Sequence, residues 1–150
     1  MFTPKDSNFE SRVRASFSRQ TIMQTIGARL ASVSPGEVEI RMPFGPGLSQ
    51  QNGYVHAGII TAIVDSACGY AALSLTPAGC EVLTVEYKVN FLAPASGNMF
   101  VARGKVARPG RTITVCSGDV LAEADGKERL VATMLTTMMV ITPDALSEAR

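Results

Sequence analysis

The chain has 150 residues, 46% of them hydrophobic and 18% charged, with a formal net charge of +1. That length predicts one domain over residues 1–150, able to bury a core without disulfides or metal. A mean hydropathy of +0.17 excludes a disordered chain and hints at apolar surface shared between subunits, while dispersed charge leaves no footprint for nucleic acid.

The amino terminus, MFTPKDSNFESRVR, lacks an apolar stretch of signal-peptide type, and no run approaches the length of a membrane span. Residues 8 to about 30 read as one amphipathic helix or two short ones. Phe9, Val13 and Phe17 recur every four residues, followed by Met23, Ile26 and Leu30. Arg12, Arg14 and Arg19 fit a solvated polar face. The core is expected over about 36–142. It opens with a strand at Glu37–Met42, in which Val38, Ile40 and Met42 alternate with charged residues, and a loop over Pro43–Gly53.

A long helix is expected from about Ala57 to Leu75, stopped by Pro77 and Gly79. Ile59, Ile60, Ile63 and Val64 form a bulky stripe suited to packing on a sheet. The helical neighbours of Asp65 are Gly58, Thr61, Ala62, Cys68, Gly69 and Ala72, all small, so that face permits close approach by a backbone or a ligand. A buried carboxylate without a partner is costly, so Asp65 needs either a partner or a function.

The period then changes to two. Leu83, Val85, Tyr87, Val89 and Phe91 alternate with Thr84, Glu86, Lys88 and Asn90, predicting a strand with one apolar face. Further strands are expected at about Met99–Ala107, Thr112–Ala122 and Arg129–Ile141, joined by short turns. Pro109-Gly110 suits the centre of a type II turn. Short connections predict a meander of four sequential neighbours, hence one antiparallel sheet on one apolar helix, α+β in class. Cys68, Cys80 and Cys116 lack metal-ligand spacing and read as reduced, buried thiols of a cytoplasmic protein.

His56, the chain's only histidine, stands at the start of the long helix. Asp65 would lie roughly 13 Å further along the axis and about half a turn round, too far to form a dyad within one chain. If both serve one reaction, a second copy must bring its Asp65 to the first copy's His56. The backbone N–H groups of Ala57 and Gly58 lack intrahelical partners and could stabilise an oxyanion. No nucleophile elbow, P-loop, Rossmann glycine pattern or Cys–His pair is present, so a hydrolase here would depend on a carboxylate and water.

The stretch NGYVHAGIITAIVDSACGYAA resembles the signature of hotdog-fold acyl-CoA thioesterases of the phenylacetate-degradation type. The likeness extends from about Ile22 to Ile141, through YKVNFLAPA and the RPGRT turn. It implies a long helix wrapped by a curved antiparallel sheet, a homodimer or a tetramer built as a dimer of dimers, and sites at the dimer interface. The implied substrate is acyl-CoA, with no metal and no cofactor apart from the coenzyme A carried by the substrate, and no nucleic-acid or membrane partner. Carried over, Asp65 is general base or nucleophile, His56 is the helix-start histidine, and Ala57 donates its N–H to the thioester oxygen. Gln50 occupies the place of an asparagine that positions substrate or water, with Asn52 two residues on. Gly58 matches the second glycine of the signature, and Ala57 replaces the first. Thr84 falls where a hydroxyl meets the attacking water, and Arg108, Gly110 and Arg111 fall where the nucleotide end of CoA is met. Tyr70, Phe91, Leu92 and neighbouring methionines are candidates for the acyl pocket. Alternatives are a hotdog hydratase or dehydratase, whose acid–histidine spacings this chain lacks, and a non-enzymatic acyl-CoA-binding protein.

Overall fold

The computed structural model describes residues 2–148. The chain opens with helices α1 (Phe9–Arg19) and α2 (Thr21–Thr25), followed by strands β1 (Arg29–Ser34) and β2 (Glu37–Pro43). The long helix α3 (Ala57–Leu73) precedes β3 (Glu81–Phe91), β4 (Met99–Arg108), β5 (Ile113–Ala124) and β6 (Lys127–Ile141), and α4 (Pro143–Glu148) closes the chain. No helix among the described residues is long and apolar enough to cross a membrane.

The helical expectation for residues 8–30 holds to Thr25 and then fails. Gly27 takes a φ of +71°, which ends α2. Residues 29–34 instead form a strand, turned onto β2 through Pro35-Gly36, with Ser34 opposite Glu37. The apparent helical spacing of Met23, Ile26 and Leu30 thus spans two different elements. Arg12 also departs from the solvated face expected of it. Its guanidinium donates to the carbonyls of Leu73, Thr76, Pro77 and Cys80 and pairs with Asp6, so it caps the C-terminal end of α3. Arg14 remains on the surface, paired with Glu10.

All strand pairings are antiparallel, in the order β1-β2-β4-β5-β6-β3. The expected four-strand meander is therefore corrected: β4, β5 and β6 are sequential neighbours, but β3 pairs with β6 and forms the sheet edge. The segment between β3 and β4 is not a hairpin turn, because residues 92–98 carry the chain across the end of the sheet. Seven extended residues reach about 23 Å, against about 14 Å for three strand spacings. The segment is held by Val55 N–H on the Ala95 carbonyl and Asn98 N–H on the Glu123 carbonyl.

The sheet wraps α3, and two glycines set the depth of contact. A Cβ on Gly104 would lie 2.3 Å from the Ala67 carbonyl carbon, and one on Gly118 would lie 2.6 Å from Val64 Cγ2. Part of the small-residue face around Asp65 is thereby explained, since Cys68 and Ala72 are buried against the chain's own sheet. The rest of it, Gly58, Thr61, Ala62 and Gly69, forms a ridge with Asp65 that is not buried. Cys68, Cys80 and Cys116 are free and buried. Burial pushes the Cys116 thiol up to about 12 and raises Cys68 further, which makes both inert.

Candidate active site

The segment before α3 positions the helix start. A 3₁₀ turn at Pro46–Leu48 and the bridge between Ser49 and Val55 bring His56 to the N-cap, where its N–H donates to the Leu48 carbonyl at 2.9 Å. The His56 Nδ1 accepts the N–H of Gly58 at 2.9 Å. In a neutral ring this bond leaves the proton on Nε2, which is then a donor toward solvent or substrate. A Cβ at position 58 would meet Nδ1 at 3.1 Å, a tight contact that the imidazole would relieve by shifting a few tenths of an ångström.

The helix start consequently offers one free donor where two were expected. The Gly58 N–H is spent on His56, whereas the Ala57 N–H has no hydrogen-bond partner among the described residues. Ala57 and His56 line a cleft of about 640 Å³ with Gln50, Tyr54, Phe91 and Leu92. Gln50 turns its Oε1 to the Asn52 N–H, which leaves its amide NH₂ group available. Asn52 itself lies in the exposed turn outside the cleft lining and meets Gln50 through its backbone N–H.

Asp65 and Thr84 lie elsewhere. The Thr84 hydroxyl donates to Asp65 Oδ1 at 2.9 Å and also lies 3.5 Å from the Met138 sulfur. Both residues line a separate cavity of about 150 Å³ with Gln20, Ser66, Tyr70 and Met138. Burial raises the Asp65 pKa above 3.8, and the Thr84 hydrogen bond opposes that rise. A carboxylate held in this way is more basic than a free one and sits beside space for a small molecule.

The strand pattern expected for β3 is broken between these groups. Register slips between Thr84 and Glu86 across from β6, so Val85 is the extra residue of a bulge. Thr84 opposes buried Met138, and beyond the bulge Tyr87, Val89 and Phe91 oppose Thr136, Met134 and Ala132, also buried. The inward face thus changes from even to odd numbers at Val85. An uninterrupted alternation with Tyr87 and Phe91 inward would have turned Thr84 away from Asp65.

The RPGR turn lies past the other end of α3. Gly110 and Arg111 line a cavity of about 130 Å³ with Lys5, Leu75, Thr76 and Cys80. Gly110 is not in the left-handed region, which corrects the type II turn expected there. Its requirement is close approach, since a Cβ would fall 2.0 Å from the Ile113 carbonyl oxygen. Arg108 and Arg111 are exposed and have no acidic partner among the described residues.

The sequence profile of the thioesterase superfamily matches residues 52–128, a span that runs from the turn before His56 to the start of β6. A protein of Saccharolobus solfataricus named as an esterase is 32% identical over 106 residues, covering 71% of this chain and 74% of that protein. The chain belongs to the thioesterase superfamily. Human acyl-coenzyme A thioesterase 13 is 28% identical over 99 residues, 65% of this chain and 70% of the human protein. The crystal structure of a thioesterase family protein from Silicibacter pomeroyi matches with a TM-score of 0.88 at 50% identity, over 89% of this chain and 98% of that one. The E. coli PaaI protein of the phenylacetic acid degradation operon matches at 0.82 over 91% and 96%, and at 17% identity shares the fold alone. The fold of this thioesterase is the hotdog, a helix wrapped by an antiparallel sheet.

Of the residues expected at the thioesterase site, the structure brings together Gln50, His56 and Ala57, and separately Asp65 and Thr84. Phe91 and Leu92 line the first cavity, and Tyr70 and Met138 the second. Sequence reading missed Tyr54, Ser66 and Gln20. The Gln20 position carries no periodic signal, because it is the junction at which α1 ends and α2 begins.

Proposed function

We propose that this chain hydrolyses acyl-CoA thioesters to free acid and CoA, at sites completed where two copies meet. The observation that carries the proposal is the division of the catalytic groups between two cavities. The unpaired Ala57 N–H faces one cleft and the Asp65–Thr84 pair lines another, eight residues along the same helix. The surface around Asp65 supports a second copy. The strand that carries Thr84 is an unpaired edge with Leu83, Val85, Tyr87 and Phe91 exposed, and the ridge beside Asp65 on α3 is built of small residues. The acyl-CoA substrate is supported by the relationship to human acyl-coenzyme A thioesterase 13.

In this mechanism the Ala57 N–H holds the thioester carbonyl oxygen while the His56 Nε2–H and the Gln50 amide orient the substrate. Asp65 of the partner subunit takes a proton from water as the water oxygen bonds to the carbonyl carbon. Collapse of the tetrahedral intermediate breaks the C–S bond, and the thiolate leaves with the electron pair. The base contributes roughly 10²–10⁴-fold and the oxyanion donor a further ~10²–10³-fold.

Mixing two inactive variants tests the shared site. Ala57→Pro removes only the N–H in question, and proline is well tolerated at the first helical position. The preceding residue suits it, since His56 has φ −60° and ψ 138°. Ala57→Pro and Asp65→Asn should each release little free thiol from acyl-CoA. Mixed one to one, they should recover about a quarter of wild-type activity, as half the dimers carry one intact site of two. Verified heterodimers without recovered activity would overturn the shared site.

A further inference from the structure

The hairpin that joins β5 to β6 sorts its charges by face. Glu123 and Glu128 oppose each other and turn to the convex side of the sheet, where they pair with Arg41 and Arg103. Lys127 and Arg129 oppose Ala124 and Ala122, and Ala122 belongs to the core, so both cations project from the concave side that holds α3. A bulge produces this arrangement. Ala132 opposes Val120 while Leu130 opposes Leu121, which makes Val131 the extra residue of β6. Unbroken alternation from Ala132 would have turned Leu130 inward and Arg129 outward.

The concave position brings Arg129 to the rim of the cleft in which Ala57 and His56 lie. Its Nη2 donates to the Pro94 carbonyl at 2.7 Å. Pro94 lines that cleft together with Val131, whose own carbonyl receives the Leu92 N–H at 2.8 Å. Arg129 is otherwise exposed, and neither it nor Lys127 has an acidic partner among the described residues. A guanidinium has further N–H donors beyond the one engaged by Pro94, and that bond holds the fork in place for an anion. In acyl-CoA the pyrophosphate directly follows the pantetheine, so it is the first anion to emerge from a cleft that has the thioester at Ala57. Two of its oxygens match the guanidinium fork. We infer that Arg129 is a substrate-binding residue that grips the pyrophosphate of CoA at the rim of this cleft, a role that rests on the acyl-CoA reading above. The contact lies at the Ala57 end of α3, whereas the RPGR turn of the same chain lies past the other end.

The test compares CoA, dephospho-CoA and pantetheine thioesters, each with hexanoyl and phenylacetyl groups, in the wild type and Arg129→Gln. Glutamine can still donate to the Pro94 carbonyl but carries no charge. With acyl-CoA the variant should raise KM by about fivefold or more and leave kcat nearly unchanged, because the contact is equal in ground and transition states. Acyl-dephospho-CoA keeps the pyrophosphate and lacks the 3′-phosphate, so it should show the same increase. Acyl-pantetheine should show none. Equal increases for all three would mean that Arg129 acts only by holding the cleft wall, and an effect confined to acyl-CoA would place the contact on the 3′-phosphate; either result overturns the inference. So does a wild-type KM for acyl-dephospho-CoA no lower than that for acyl-pantetheine, which requires no variant to fold. Absence of hydrolysis for every substrate by the wild type would instead remove the acyl-CoA reading itself, and the inference with it.

Discussion

Thr84 reaches Asp65 because β3 slips by one residue immediately after it. The hydroxyl donates to Oδ1 at 2.9 Å from an inward position that the bulge at Val85 creates. Beyond the bulge the opposite parity faces inward, which brings Phe91 into the cleft at the helix start. One local irregularity therefore serves two cavities: it holds the carboxylate from the edge strand and lets an aromatic ring line the other pocket.

The hydrogen bond should be visible in the pH profile. If Asp65 is the general base, kcat/KM rises as it loses its proton, and the acidic limb reports its free-enzyme pKa. Burial sets that limb above 3.8, and the Thr84 hydroxyl restrains it by stabilising the charged form. Thr84→Val keeps the branched shape and removes the donor. Its acidic limb should move to higher pH, and an unmoved limb would separate Thr84 from the titrating group.

Asp65→Asn should assemble normally, accept the same bond from Thr84, and lose roughly 10²-fold or more in kcat. Its stability should change in the opposite direction. The folded pKa of Asp65 is raised, so ionising it costs the folded state; that cost is absent below the free value of 3.8 and complete above the raised one. The asparagine variant should therefore melt higher than wild type at neutral pH, with the difference shrinking as pH falls towards 3.8. A variant that melts lower at neutral pH would mean that the charge is compensated by a neighbour.

The long helix, the later strands and the His56–Asp65 spacing were legible because each depends on local periodicity or a fixed rise per residue. Four features were not. The pairing of β3 with β6 depends on where residues 92–98 carry the chain, and a strand of period two looks the same beside any neighbour. The bulge at Val85 leaves no mark in a run of alternating residues. Arg12 resembles any helix-face arginine until the end of α3 arrives to be capped. Gln20 and Ser66 are joined across 46 residues by tertiary packing alone.

The contact between α3 and the sheet gives a graded stability test. A methyl group on Gly104 would meet backbone, at 2.3 Å from the Ala67 carbonyl carbon and 2.5 Å from its oxygen and the Cys68 nitrogen. Relief requires the helix to move, so Gly104→Ala should cost about 3 kcal/mol. A methyl group on Gly118 meets the Val64 and Cys68 side chains at 2.6 and 2.7 Å. Those can rotate or shift, so Gly118→Ala should cost about 1 kcal/mol. Urea denaturation midpoints decide the order, and equal losses would place the constraint in the strands rather than in the helix backbone.

The last prediction concerns the two arginines of the RPGR turn. Arg108 and Arg111 are exposed without an acidic partner among the described residues, unlike Arg41 and Arg103, which are tied into ion pairs with Glu39. Guanidinium groups in that state are available to phosphate. The turn lies past the end of α3 opposite His56, and a helix of 17 residues is about 25 Å long. A substrate with its thioester at Ala57 and its nucleotide at this turn must therefore be extended, or must reach the turn of the partner subunit. If the arginines hold the nucleotide end of CoA, the double change to alanine should raise KM and leave kcat nearly unchanged, because the contact is equal in ground and transition states. The wild-type KM should climb with ionic strength, and that of the variant should climb less. An acyl-pantetheine, which lacks the nucleotide, should show no effect. Equal KM increases for both substrates would mean that the turn acts by supporting the end of α3, where Arg111 shares a cavity with Leu75 and Thr76.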